Sequence, residues 1–337
     1  MLSANEKSIL RCPLLKREME IEFSLVDYRN QYFISRDYDK ILEFYSGFES
    51  REQLIEWMKA RPKGSNVIHE IEGDKEVIVV IPTSNINGEY AKECRDNIFK
   101  GLHIVFVESG KGNFYFNYAQ NCNAGIRKAM EHRPKWIIVS NDDVKKIDEI
   151  HILKKCLNNL DEKRIDAVFT RESPDGYHSM KRYLGAPSIL GNIYYKVGNI
   201  LNYFPFNFWV YMERRHNLIE KFRIRTILLP YHPISRILFK KLHLFSLTAA
   251  FSIFSSSFVQ GRNLEVFDET YVNGAEDWEI SYELSMNPDK IAFIDYLIGE
   301  DVGGTLGSSS SKAGRARALR DVANICLFNY YHYNDFK

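Results

Sequence analysis

From Lys75 onward the chain alternates short, wholly apolar runs with segments that carry apolar residues at helical spacing. That alternation limits the fold more than any other feature. "EVIVVIP", "HIVFVES", "WIIVS" and "IDAVFT" are four such runs, separated by helical patterns near Glu89 to Phe99, near Tyr118 to Met130 and after Asp143. In the middle helix Tyr118, Cys122, Ile126 and Ala129 recur on one face. Runs with no polar alternation belong to strands buried on both faces, and strands alternating with helices imply a mostly parallel, doubly wound sheet. Such sheets bind ligands outside the carboxyl ends of their strands. That rule selects three places: Pro82 to Asn85, Glu108 to Gly110 and Asn141 to Asp143.

The flanks differ. Residues 1 to 72 are mixed and charged and read as a helical amino-terminal extension. Within it "SREQLIEWMKARP" carries a capping box, Ser50 with Gln53, an apolar face through Leu54 and Met58, and a stop at Pro62. The core reads as 73 to 305, interrupted at about 200 to 247 by a basic, aromatic insertion. A Gly/Ser-rich loop and a basic helix, "RARALRDVANICLF", close the chain over 306 to 337. Charge is balanced, 45 Lys+Arg against 44 Asp+Glu, so no global basic field recruits nucleic acid. The five cysteines contain no C-x-x-C pair, which argues against a zinc site or a disulfide framework and for a reducing, cytoplasmic setting. No stretch reaches the roughly 18 apolar residues of a membrane span, and the amino terminus lacks the apolar core of a secretory signal.

Asn141-Asp142-Asp143 ends the run "WIIVS". Adjacent carboxylates at a strand tip repel one another unless water or a cation screens them, and a hard dication takes one or two carboxylates and leaves its other positions to phosphates and water. A solvated, capped turn is the alternative. Glu276-Asp277 in "GAEDWE" likewise suits either the first turn of a helix, where the macrodipole favours acids, or acid-base work.

In order and spacing these stretches resemble the family 2 glycosyltransferases, nucleotide-sugar-dependent enzymes with the GT-A fold, from about Val77 to Gly304. "VIVVIPTSN" resembles the family's first strand, "IVFVESG" its second, "NYAQNCNAGIRKA" the next helix with its Asn-x-Gly, "WIIVSNDDV" the acidic metal motif and "FDETYVNGAEDWEISYEL" the later Glu-Asp segment. The resemblance implies that Asp143 holds Mn²⁺ or Mg²⁺, with Asp142 near the donor ribose and diphosphate and Asn141 standing where a first Asp is frequent. It implies that Asp277 is the general base with Glu276 as second candidate, and that Glu108 takes the place of a base-contacting Asp. Pro82, Thr83, Asn85, Asn117, Asn121 and Asn123 become donor-side candidates. Where the family often has a metal- or phosphate-contacting His, either Asp301 takes its place as a metal ligand or that ligand is absent or supplied by water. The implied activity is inverting transfer of a sugar from a nucleotide diphosphate to a glycan or lipid-linked acceptor hydroxyl. The basic, aromatic composition of the insertion at 200 to 247 suits either a peripheral contact with an anionic bilayer or a helical cap whose apolar residues are core and whose charges are solvated. Two other classes fit parts of the pattern. A nucleotidyltransferase needs a glycine-rich basic loop after the first strand, where "IPTSNINGEYAKE" has only Gly88 and Lys92. A non-catalytic nucleotide- or carbohydrate-binding protein would not require both acidic motifs.

Overall fold

The computed structural model describes residues 28–110, 112–170, 180–187, 211–212, 214–216, 239–246, 250–300 and 311–332. In chain order the elements are α1 (Tyr38–Ser46), α2 (Arg51–Ala60), β1 (Val67–Ile71), β2 (Asp74–Thr83), α3 (Glu89–Glu93, continued by a π-helical turn Cys94–Ile98), β3 (Leu102–Glu108) and α4 (Tyr118–Met130). Then come β4 (Trp136–Ser140), β5 (Val144–Lys146), α5 (Ile150–Asn158), β6 (Ala167–Phe169), β7 (Met180–Pro187), β8 (Phe239–Ser246), β9 (Phe251–Ser255) and α6 (Ser256–Gly261). The last are α7 (Glu276–Ser285), β10 (Ile291–Phe293), β11 (Ile298–Glu300) and α8 (Ser311–His332).

The molecule is α/β with a mixed sheet of seven strands in the order β1-β3-β2-β4-β9-β6-β10, compatible with a Rossmann-like fold. The pairs β3/β2, β2/β4 and β6/β10 are parallel, while β1/β3, β4/β9 and β9/β6 are antiparallel. Five strands therefore run one way, and β1 and β9 run against them. A buried apolar run such as "FSIFS" carries no mark of its direction; the connection feeding it decides, and here that connection comes through β8. The β1 strand, assigned from sequence to the amino-terminal extension, forms an edge of this sheet.

Both faces of the sheet are covered, which is why its strands read as continuous apolar runs. Alternate residues of β2 divide between the layers. Val77, Val79 and Ile81 pack with Ala91, Cys94 and Ile98 of α3 and with Leu153 and Leu157 of α5. Ile78 and Val80 pack with Cys122, Ile126 and Ala129 of α4 and with Ile280 and Leu284 of α7. Gly125 lets α4 approach closely: a Cβ there would lie 2.3 Å from Val80 Cγ1 and 2.9 Å from Val107 Cγ2.

A third layer joins the two ends of the chain. Phe44 and Tyr45 of α1 and Leu54, Trp57 and Met58 of α2 share one apolar cluster with Leu319, Val322, Leu327 and Phe328 of α8 and with Tyr271 and Tyr282. The buried Tyr45 hydroxyl donates to the Leu319 carbonyl (2.6 Å) and accepts from the Ala323 N–H (3.1 Å). At the start of α2, Ser50 accepts from the Gln53 N–H (3.3 Å), but the Gln53 side chain caps the Glu49 N–H (2.9 Å) rather than that of Ser50. Among the described residues no helix is long and apolar enough to cross a membrane. The basic residues Arg223, Arg225 and Arg236 lie outside the described residues. Of the insertion's described part, Arg214 pairs with Glu43 of α1 at 3.0 Å.

Candidate active site at the strand ends

Because β3, β2 and β4 are parallel neighbours, their carboxyl ends open along one edge of the sheet. Pro82 and Thr83 are the last residues of β2, and Thr83 stands opposite Glu108 in the pairing with β3. The Thr83 hydroxyl donates to Asp142 Oδ2 at 2.7 Å, which ties the end of β2 to the acidic turn after β4. The same oxygen accepts from the Asn85 N–H (3.3 Å), and Asn85 Oδ1 accepts from the Asn87 N–H (2.9 Å), so Asn85 shapes the exposed turn that leads to α3.

Asn141, Asp142 and Asp143 are all partly buried. Burial raises the Asp142 carboxyl above its ordinary range and the neighbouring Asp143 adds to the rise, against the hydrogen bond from Thr83. Two adjacent carboxylates offer the oxygen donors that a hard dication prefers. The donor set therefore fits Mn²⁺ or Mg²⁺. On the far side β5 pairs with β11, Glu300 lying opposite Val144, the residue after Asp143. Asp301 lies outside the described residues.

Glu108 accepts from His69 Nε2 at 2.9 Å and from the Ile86 N–H at 3.3 Å, so its carboxylate holds the loop after β2 against β1. Of the asparagines at the start of and along α4, Asn117, its cap, and Asn123 are committed to the fold. Asn117 caps the helix through the Gln120 N–H (2.8 Å) and donates to the carbonyls of Glu269 and Tyr271. Asn123 brackets Phe267, donating to its carbonyl (2.7 Å) and accepting its N–H (3.1 Å). Asn121 accepts from Asn66 (3.0 Å) and keeps a buried amide nitrogen with no partner.

One residue that sequence reasoning placed only on a packing face links the two acidic motifs. Tyr118, first in α4, donates its hydroxyl to Asn141 Oδ1 (2.9 Å) and its backbone N–H to Asn273 Oδ1 (3.1 Å). Asn273 opens the turn into α7, where Asn273 (φ 50°) and Ala275 (φ 67°) both take the left-handed backbone region. For an alanine that conformation costs about 1 kcal/mol or more, and such strain gathers where a turn must aim side chains. The turn delivers Glu276 and Asp277 to the amino terminus of α7. Glu276 is 8% exposed, with Oε2 buried and unpartnered. Burial first, then the charge of Asp277, pushes its carboxyl up to about 8, although the N–H groups of Glu276 and Gly274 oppose the rise. Asp277 is half-buried.

Two further groupings were not legible in the sequence. A cavity of ≈ 360 Å³ is lined by Lys63, Arg262, Asp268, Glu269 and their neighbours, its charges largely paired, as between Lys63 and Glu269. At the opposite end of β3, Glu70, His103 and His132 bring one donor atom each to within 4.8 Å of one another, a grouping that could hold a metal ion. These three come from segments about 30 residues apart, so no local spacing announces them. No protein-family model matches the chain, and no curated protein matches it.

Proposed function

We propose that the protein is an inverting, divalent-metal-dependent glycosyltransferase of the GT-A type, which moves a sugar from a nucleotide-diphosphate donor to an acceptor hydroxyl. The observation that carries this reading is the bridge made by Tyr118. It ties the Asn141-Asp142-Asp143 turn to the turn that presents Glu276 and Asp277, so a charge-neutralising motif and an acid-base motif are held by a common residue.

In this reading Asp143, with Asp142 beside it, holds Mn²⁺ or Mg²⁺, which when bound neutralises charge building on the departing diphosphate. Thr83 orients Asp142 through its hydroxyl. Glu108 and Asn85 shape the loop after β2 that borders the nucleotide. Asp277 takes the proton of the acceptor hydroxyl as that oxygen bonds to the anomeric carbon, while the bond from that carbon to the diphosphate oxygen breaks. With base and leaving group on opposite faces, one displacement inverts the centre. Glu276, held neutral below about pH 8, already carries its proton and leaves the proton-accepting role to Asp277. The basic segment at 200 to 247 would present the enzyme to a lipid-linked acceptor at an anionic, cytoplasmic bilayer face.

Two variants separate binding from chemistry. Asp143→Ala should weaken nucleotide-diphosphate binding only when Mn²⁺ is present. Asp277→Asn should bind donor normally and turn over roughly 10²- to 10⁴-fold more slowly, the range for loss of a positioned base. Equal binding by Asp143→Ala and parent across a Mn²⁺ titration would remove the metal assignment, and full turnover by Asp277→Asn would pass the base role to Glu276.

A further inference from the structure

We propose that Glu70, His103 and His132 form a second metal site, of the Zn²⁺ class, that clips the edge of the sheet to the end of α4. Glu70 lies on β1, His103 near the start of β3, and His132 in the turn after α4. His103 and Glu108 are five residues apart on β3, so this site lies about 17 Å from the strand-end site, at the other end of the strand.

The donor set is two imidazoles and one carboxylate, the ligands of a three-coordinate protein zinc site that leaves a fourth position to water. Absence of C-x-x-C pairs excludes only thiolate sites. Both imidazoles face the same oxygen: Glu70 Oε2 is 3.0 Å from His103 Nε2 and 2.6 Å from His132 Nε2. Lys128 binds the other oxygen, Oε1, at 3.2 Å and leaves Oε2 to the histidines. An ion bonded at about 2.0–2.1 Å to each tetrahedral ligand sets these atoms about 3.3 Å apart, so the carboxylate oxygen would draw back from the two rings by roughly 0.3 and 0.7 Å.

His103 supplies the decisive observation. Its ring is fully buried, and its Nδ1 has no hydrogen-bond partner but lies 3.7 Å from Glu72 Oε2. A neutral ring that donates from Nε2 to Glu70 turns the bare Nδ1 lone pair toward a second carboxylate. With a metal on Nε2, the proton moves to Nδ1 and faces Glu72, the carboxylate–histidine–metal arrangement of zinc proteins. Charge agrees: Glu70, Glu72 and Glu131 face two cations among the described residues, Lys128 and Lys75, so neutral imidazoles leave an excess of one negative charge. Glu70 and His132 are 26% and 22% exposed, so an ion can enter from solvent.

The test uses chelator-treated full-length protein, titrated with Zn²⁺ by calorimetry and with Co²⁺ by visible absorption. The expected result is one Zn²⁺ per chain bound in parent and in Asp143→Ala alike, a strong tetrahedral-type Co²⁺ spectrum, and binding weakened at least tenfold by Glu70→Gln and by His132→Gln. Absence of stoichiometric Zn²⁺ binding, a weak octahedral Co²⁺ spectrum in the parent, or a site lost in Asp143→Ala would overturn the proposal. The cobalt spectrum of the parent decides even if a variant fails to fold.

Discussion

Replacing Glu276 with Gln should change how stability depends on pH, in a direction that follows from its burial. In the folded protein this carboxyl is pushed up to about 8, against an ordinary value of 4.5. A carboxyl raised on folding contributes its full stability below the unfolded value and loses it as pH climbs through the folded one. Between pH 5 and 7.5 the parent should therefore lose roughly 1.4 kcal/mol per pH unit from this group, and by pH 7.5 a total on the order of 4 kcal/mol. Gln has nearly the same shape and no charge to desolvate. Its amide nitrogen would meet the surroundings of the unpartnered Oε2, costing about 1–3 kcal/mol at any pH. The variant should thus be no more stable than the parent at pH 5 and more stable at pH 8, so the two curves cross. Urea-unfolding midpoints at pH 5, 6, 7 and 8 measure this. Other titrating groups cancel in the difference, apart from Asp277, which loses a repelling neighbour. Parallel stability curves for parent and variant would refute the argument that burial holds Glu276 neutral.

Three other outcomes are expected. Gly125→Ala should destabilise by about 1–3 kcal/mol or more, read as a lowered unfolding midpoint, because its Cβ would press on Val80 and Val107; an unchanged midpoint would contradict the close approach of α4 to the sheet. Tyr118→Phe leaves the packing and removes the hydroxyl from Asn141, so donor binding with Mn²⁺ should weaken by roughly five- to tenfold, the equivalent of about 1 kcal/mol, whereas unaltered calorimetric binding would detach Tyr118 from the site. Changing Arg223, Arg225, Lys240 and Lys241 together to Gln should abolish sedimentation with anionic liposomes at low salt, at about 1 kcal/mol per charge, and leave donor hydrolysis intact; a parent protein that never sediments would return the segment to a solvated cap.

By itself the sequence determined what depends on local chemistry. Apolar runs such as "EVIVVIP" and "WIIVS" marked strands buried on both faces, because no polar residue alternates within them. The helix at Tyr118–Met130 was readable from its apolar period, and the acidic residues at 141–143 and 276–277 were readable as carboxylates at element ends. Tertiary structure decided what depends on direction and on contacts between distant segments. The reversal of β9, the recruitment of β1 as an edge strand and the packing of α8 on α1 and α2 leave no local trace, since a buried run looks the same in either direction and Tyr45 meets Leu319 across 274 residues. The same holds for side chains with several available partners. Asn117 and Asn123 read as candidates for the donor side, yet neighbouring backbone claims them, while Tyr118 and the Glu70–His103–His132 cluster acquire their partners only when separate elements meet. A residue's type and immediate neighbours set what it can bond to; the fold sets which of those partners comes within 3 Å.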